Sequence, residues 1–87
     1  MTILINNQTG NAESTVQSVT GTFYLQISGQ FNYGLIRLFA EIAPGAGYSL
    51  IYETTATEVV SVDLPYGAKY KAEIVSIEGS GVTVTAV

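Results

Sequence analysis

Apolar and polar residues alternate with a period of two through most of this chain. Phe23, Leu25 and Ile27 alternate with Tyr24, Gln26 and Ser28, and Val60, Val62 and Leu64 with Val59, Ser61 and Asp63. Tyr70, Ala72 and Ile74 alternate with Lys71, Glu73 and Val75, and Val82, Val84 and Ala86 with Thr83, Thr85 and Val87. Each run is rich in the β-branched and aromatic residues that suit a pleated surface, and each predicts a strand burying one face. Turn signals separate them: Asn6 to Gly10, Gly21, Gly29 to Gly34, Pro44 to Gly47, Pro65 to Gly67 and Gly79 to Gly81.

The segment from Gly34 to Ala43, GLIRLFAEIA, fits two periods at once. Leu35, Leu38, Phe39 and Ile42 trace a helical stripe, while Ile36, Leu38, Ala40 and Ile42 trace one face of a strand. A lone ten-residue helix here would lack a capping Asp, Ser, Thr or Asn and would stand isolated among strands. The strand reading follows, with Ile36, Leu38, Ala40 and Ile42 directed to the core. Leu35, Arg37, Phe39, Glu41 and Ala43 then form an outer face that is amphipathic.

No segment between strands is long enough for a helical crossover, so the sheets are expected to be antiparallel and packed face to face. The fold class predicted is all-β, an antiparallel β-sandwich of immunoglobulin-like or jelly-roll-like type with about six to eight strands and an extended N-terminal arm. Residues 1–15 read as that arm, or as a first strand plus loop, and residues 16–87 as a single sandwich domain. Ile3, Leu4 and Ile5 in the arm either add to the open sheet edge of a partner or begin the domain's own sheet.

Length changes this picture by limiting the core. A chain of 87 residues buries roughly 60 to 65% of its unfolded surface, against an ordering cost of about 1.5 kcal/mol per residue. With neither Cys nor His, disulfides and the commonest zinc ligands are both unavailable as reinforcement. Association with copies of itself or with a larger partner is the expected alternative. Charged residues make up 11% of the chain and hydrophobic ones 47%, so some apolar surface is expected to be covered by a neighbour. Three basic residues against seven acidic ones, net charge −4, argue against nucleic-acid binding. Neither a membrane span nor a secretory leader is predicted, because no apolar run is long enough and the first residues lack a basic region and an apolar stretch.

Candidate chemistry is sparse, and no catalytic, cofactor-binding or metal-binding residues are assigned. Without His or Cys a Ser nucleophile would need Lys69 or Lys71 as base, and no Ser lies in a Gly-x-Ser-x-Gly elbow. The nearest carboxylate pairs, Glu53 with Glu58 and Glu73 with Glu78, border predicted turns and read as solvated residues. A single Asp, Asp63, does not make a calcium loop. The six Tyr residues suit a core or a protein interface, and less well a sugar-stacking platform.

From Val19 to Val87 the layout resembles small β-sandwich proteins of tailed-bacteriophage structural genes. The residues that carry the resemblance are Gly29 and Phe31, Gly34 and Leu38, Gly47 and Tyr48, Leu64-Pro65-Tyr66-Gly67, Tyr70-Lys71-Ala72, and Gly81 to Val87. Tyr48 and Pro44 to Gly47 stand where that group usually has Trp and Asp-Gly-Gly. The resemblance implies a virion component without catalysis, most like a capsid decoration (cement) protein. It implies a location on the capsid exterior after synthesis in the host cytoplasm, with the major capsid protein and further copies of the chain, as a trimer, for partners. A carbohydrate- or host-binding module of a fibre or head-surface adhesin is the alternative. The residues expected at a protein interface are Ile3, Leu4 and Ile5 of the arm, and Leu35, Arg37 and Phe39 of the outer face, extended by Tyr24 or Tyr52 if their strands are adjacent.

Overall fold

The computed structural model describes residues 2–19 and 21–87, with the side chains of all of these except 31–33 and 76–80. Phe31 of the phage-like pattern and Tyr33 therefore lie outside the described side chains, as does Glu78. The strands are β1 (Thr2–Gln8), β2 (Ala12–Glu13), β3 (Gln17–Ser18), β4 (Phe23–Glu41), β5 (Ser49–Thr54), β6 (Glu58–Val62) and β7 (Lys69–Ala86). All pairings are antiparallel, and the strands form two sheets packed face to face as a β-sandwich.

Two long strands organise everything else. β4 and β7 pair with each other from Leu25↔Ala86 at one end to Glu41↔Lys69 at the other, with register shifts between Ser28 and Leu35 where both bend. The ribbon they form folds over on itself. Its first half, Phe23 to Ser28 with Val82 to Ala86, lies in layer one between β1 and β6; its second half, Leu35 to Glu41 with Lys69 to Val75, lies in layer two between β2/β3 and β5. Bends of this kind let one strand serve two layers.

Glycine makes the bend sterically open. Gly29 has φ +116°, and a Cβ there would strike the Gly81 carbonyl oxygen and lie 2.9 Å from Val82 Cα. Gly81 has φ +69°, and a Cβ there would strike Asn7 Oδ1. Asn7, itself at φ 51°, is a residue type that tolerates this left-handed conformation. Both glycine clusters, read from the sequence as turns between strands, are thus bends within continuous strands. The reason is that they face each other across the ladder, with Gln30↔Ser80 and Phe31↔Gly79.

The core lies between the layers. Leu25, Ile27, Val82, Val84 and Ala86 of layer one meet Ile36, Leu38, Ala40, Tyr70, Ala72 and Ile74 of layer two. Full burial of a side chain such as Leu25, Leu38 or Ile74 contributes about 1.5–3 kcal/mol. At the end opposite the bend, the Phe23 and Tyr70 rings stack with centroids 4.6 Å apart, joining the first residue of β4 to the second of β7. Ile42, expected in the core, is 53% exposed because β4 ends at Glu41 and the chain leaves the sandwich toward the Pro44 to Gly47 turn.

The N-terminal segment takes the second of its two expected forms. Thr2 to Gln8 is an edge strand of the domain's own sheet, paired with the last part of β7, and Ile5 is a core residue at 4% exposure. Between the short β2 and β3, Ser14 bridges the interruption: its N–H donates to the Ala72 carbonyl at 2.8 Å and its hydroxyl accepts the Ala72 N–H at 2.8 Å. Without that hydroxyl a buried donor would be stranded, a loss of about 1–3 kcal/mol.

The bend generates a direct prediction. Gly29→Ala is expected to cost about 3 kcal/mol or more in chemical denaturation, combining backbone strain with a clash. Gly10→Ala, where a Cβ meets nothing within 4 Å, is expected to stay within about 0.5 kcal/mol of the parent. Equal effects at the two positions would contradict the account of the bend.

Candidate interaction surfaces

The two outer faces of the sandwich differ in chemistry. On layer two, cross-strand register places all three basic residues with four carboxylates. Arg37 stands opposite Glu53 on β5 and Glu73 on β7, with Nε 2.8 Å from Glu53 Oε2 and Nη1 3.8 Å from Glu73 Oε1. Lys71 stands opposite Phe39; its ammonium lies 5.9 Å from the Phe39 ring centroid, 5.1 Å from that of Tyr48 and 3.3 Å from Glu13 Oε1. Lys69 is opposite Glu41, and Glu41 accepts the Gly47 N–H at 3.0 Å, tying down the turn. Partly exposed pairs such as these contribute about 0–1 kcal/mol each. Their larger effect is that this face satisfies itself, cation against carboxylate and ring.

The outer face of layer one carries no charged side chain in its described rows. Ile3, Thr85, Gln26 and Val59 lie side by side across β1, β7, β4 and β6. Val87, Tyr24 and Ser61 form the next row, in which Tyr24 and Val87 exchange backbone hydrogen bonds of 3.0 and 2.8 Å. Ser28 and Thr83 follow on the other side. Ile3 (51%), Tyr24 (54%), Val59 (62%) and Val87 (55%) are well exposed.

Two concavities flank the core. A groove of about 330 Å³ opens between the free edges of β5 and β6, lined by Leu38, Ile51, Tyr52, Val60, Val62 and Leu64 together with the polar Ser61 and Asp63. Tyr52 closes one end of this side by donating its hydroxyl to Glu58. Hydrogen bonds from Thr54 first and Tyr52 second hold the Glu58 carboxyl below its ordinary pKa, while that same bond to Glu58, with burial, pushes the Tyr52 phenol up. A second cavity of about 410 Å³ sits over the Phe23–Tyr70 stack, bordered by Gln17, Ser18 and Thr22. Burial pushes the Tyr70 phenol up. The carboxylates singled out as pairs are engaged separately, Glu53 with Arg37 and Glu58 with Tyr52.

The expected interface residues are distributed over different surfaces. Ile3 is exposed, Leu4 packs against the core, and Ile5 is buried in it, so of the three only Ile3 presents most of its side chain outward. Leu35, Arg37 and Phe39 are half-buried, with Arg37 held by two carboxylates and Phe39 under Lys71. Neither tyrosine extends that face: Tyr24 belongs to layer one, and Tyr52 lies opposite Leu38, whose side chain points into the core. The structure instead brings Tyr24 onto the same face as Ile3. Val59, Thr85 and Val87 join them, residues the alternation had placed outside the core without showing that their strands are neighbours.

Comparison of the chain with protein-family models, with curated proteins and with solved structures returns no match.

The Tyr52–Glu58 contact has a pH signature. A carboxyl whose folded pKa lies below its ordinary 4.5 contributes stability that is present above that value and lost as pH falls through the folded one. A phenol raised above 10.0 contributes below that value and loses the contribution as pH rises through the folded one. Glu58→Gln is therefore expected to lower the melting temperature slightly near neutrality and to flatten its decline on acidification from about pH 5 to 2. An unchanged acid slope would show that this contact is not among the groups that set it.

Proposed function

We propose that this chain is a non-enzymatic structural protein of a tailed bacteriophage, a capsid decoration (cement) protein that sits on the virion exterior and bridges neighbouring capsid subunits. The resemblance described above supports the reading, and so does one observation: the uncharged, exposed outer face of layer one. Placing that face against a partner strips water from Thr, Ser and Gln side chains and from Ile3, Tyr24, Val59 and Val87, without stranding an ion. Interface cores are depleted of charge and enriched in Tyr for this reason. In such a role many weak copies act together, each bridge adding binding free energy that expansion or internal pressure must overcome. The partners are the major capsid protein and further copies of the chain.

The alternative is a carbohydrate- or host-binding module. The cavity over the Phe23–Tyr70 stack favours it, being bordered by the amide of Gln17 and the hydroxyls of Ser18 and Thr22.

Adding the purified protein to expanded capsids that lack it tests the proposal. Saturable binding and a higher temperature of capsid disruption are expected, and Tyr24→Lys, which places a charge on the uncharged face, is expected to weaken binding about tenfold or more while leaving the protein's own melting temperature nearly unchanged. No binding to any capsid, together with saturable glycan binding, would overturn the cement reading in favour of the alternative.

A further inference from the structure

Among the described residues, layer one ends in β1 and β6 and layer two in β5 and the two-residue β2 and β3, each paired on one side alone. β2 and β3 are too short to template a further strand, and β1 and β5 are irregular. β1 has register shifts between Ile3 and Ile5 and between Ile5 and Gln8, with Asn7 in the left-handed conformation. β5 is interrupted between the Leu38↔Tyr52 and Phe39↔Leu50 pairs, leaving Ile51 as the extra residue of a bulge. Irregularities of this kind blunt an edge against further pairing. β6 has none. Its five residues, EVVSV, pair in unbroken register with Phe23 to Ile27 and include no Pro, Lys or Arg.

The direction of its free backbone groups follows from the ladder. Tyr24 exchanges both its hydrogen bonds with Val87, so the peptide groups of Tyr24 point to β7 and those of Leu25 point to β6. Leu25 is opposite Val60, so Val60 directs its N–H and C=O back to β4, and the alternation of an antiparallel strand turns those of Val59 and Ser61 to the open side. Two donors and two acceptors, evenly placed about Val60, thus line an unguarded edge.

We infer that β6 pairs antiparallel with β6 of a second copy of this chain, about a two-fold axis passing through Val60. The register makes Val59 and Ser61 hydrogen-bonded partners across the axis, twice over, and uses all the free groups just described. It sets Glu58 opposite Val62 of the second copy, so the two Glu58 carboxylates never face each other, whereas a register centred on Glu58 would oppose them directly. Val59 and Ser61, both on the uncharged outer face, meet across the seam and continue that face from one copy into the next. Ile51, 42% exposed on the far wall of the groove between β5 and β6, is brought toward the second copy along with Val60 and Leu64. The contact is isologous and closes at two copies; the trimer implied by the phage resemblance would require β6 to meet a different surface. The pairing does not depend on the chain being a virion protein.

The absence of cysteine from the chain permits a direct test by single Cys substitution and mild oxidation. Opposed residues of a pair without mutual hydrogen bonds have Cα atoms about 4.5 Å apart, within disulfide reach, so Val60→Cys is expected to cross-link to its copy. Val59→Cys lies diagonally, two positions off its own copy and about 7–8 Å away, beyond ordinary disulfide reach, and is expected to cross-link roughly tenfold more slowly, although Val59 is the more exposed residue. Sedimentation of the unmodified chain is expected to show a dimer. Ser61→Pro, which removes an outward N–H and no internal one, is expected to be monomeric with an unchanged circular dichroism spectrum. Faster cross-linking through Val59→Cys would overturn the inference. So would a monomer or trimer of the unmodified chain, or a dimer that survives Ser61→Pro.

Discussion

The sandwich depends on one close approach of backbone, where Gly29 of β4 meets Gly81 of β7. There both strands bend while still paired on either side, so the two layers are halves of one ribbon and not separate sheets brought together by side chains alone. A side chain at Gly29 would occupy the space held by the Gly81 carbonyl and Val82 Cα. With the bend in place, Leu25, Ile27 and Val84 are brought over Leu38, Ala72 and Ile74, and the Phe23–Tyr70 stack closes the far end. Eighty-seven residues, none of them Cys, thereby obtain a shared core without a disulfide.

The ribbon also sorts the outer surface. Because β4 and β7 each supply outward residues to both layers, Arg37, Glu41, Lys69, Lys71 and Glu73 gather on one face, while Tyr24, Gln26, Thr83 and Thr85 take the other. Charges on the first face are balanced by their neighbours and contribute little free energy individually. The second face keeps hydroxyls, amides and a few large apolar side chains, a composition that costs far less to desolvate than ionised groups would. That asymmetry gives the decoration-protein proposal its physical content: one side suited to contact and the other to solvent.

Much of this order could be read from alternation. The inward sets Leu25/Ile27, Ile36/Leu38/Ala40, Tyr70/Ala72/Ile74 and Val82/Val84/Ala86 are core residues in the structure, because a period of two leaves no choice of face once one side is buried. What alternation does not carry is which strands are neighbours. Gly29 to Gly34 and Gly79 to Gly81 look like turns when each is considered singly, and become bends only because they oppose each other in the ladder. Ile42 continues the pattern of Ile36, Leu38 and Ala40 but lies beyond the end of its strand. Ser14 gave no apolar signal at all; its importance comes from an Ala72 N–H that would otherwise lack a partner. The uncharged face was hidden for the same reason, since Ile3, Tyr24, Val59 and Val87 are distant in sequence and become adjacent only through pairing.

If a single bent ribbon holds both layers, they should unfold together. Native-state hydrogen exchange measures this most directly, by comparing the slowest amides of layer one, on Leu25, Ile27, Val82 and Val84, with those of layer two, on Ile36, Leu38, Ala72 and Ile74. The account predicts one common opening free energy, equal to that of global unfolding. Exchange of either layer through a separate opening lower by about 2 kcal/mol or more would contradict it.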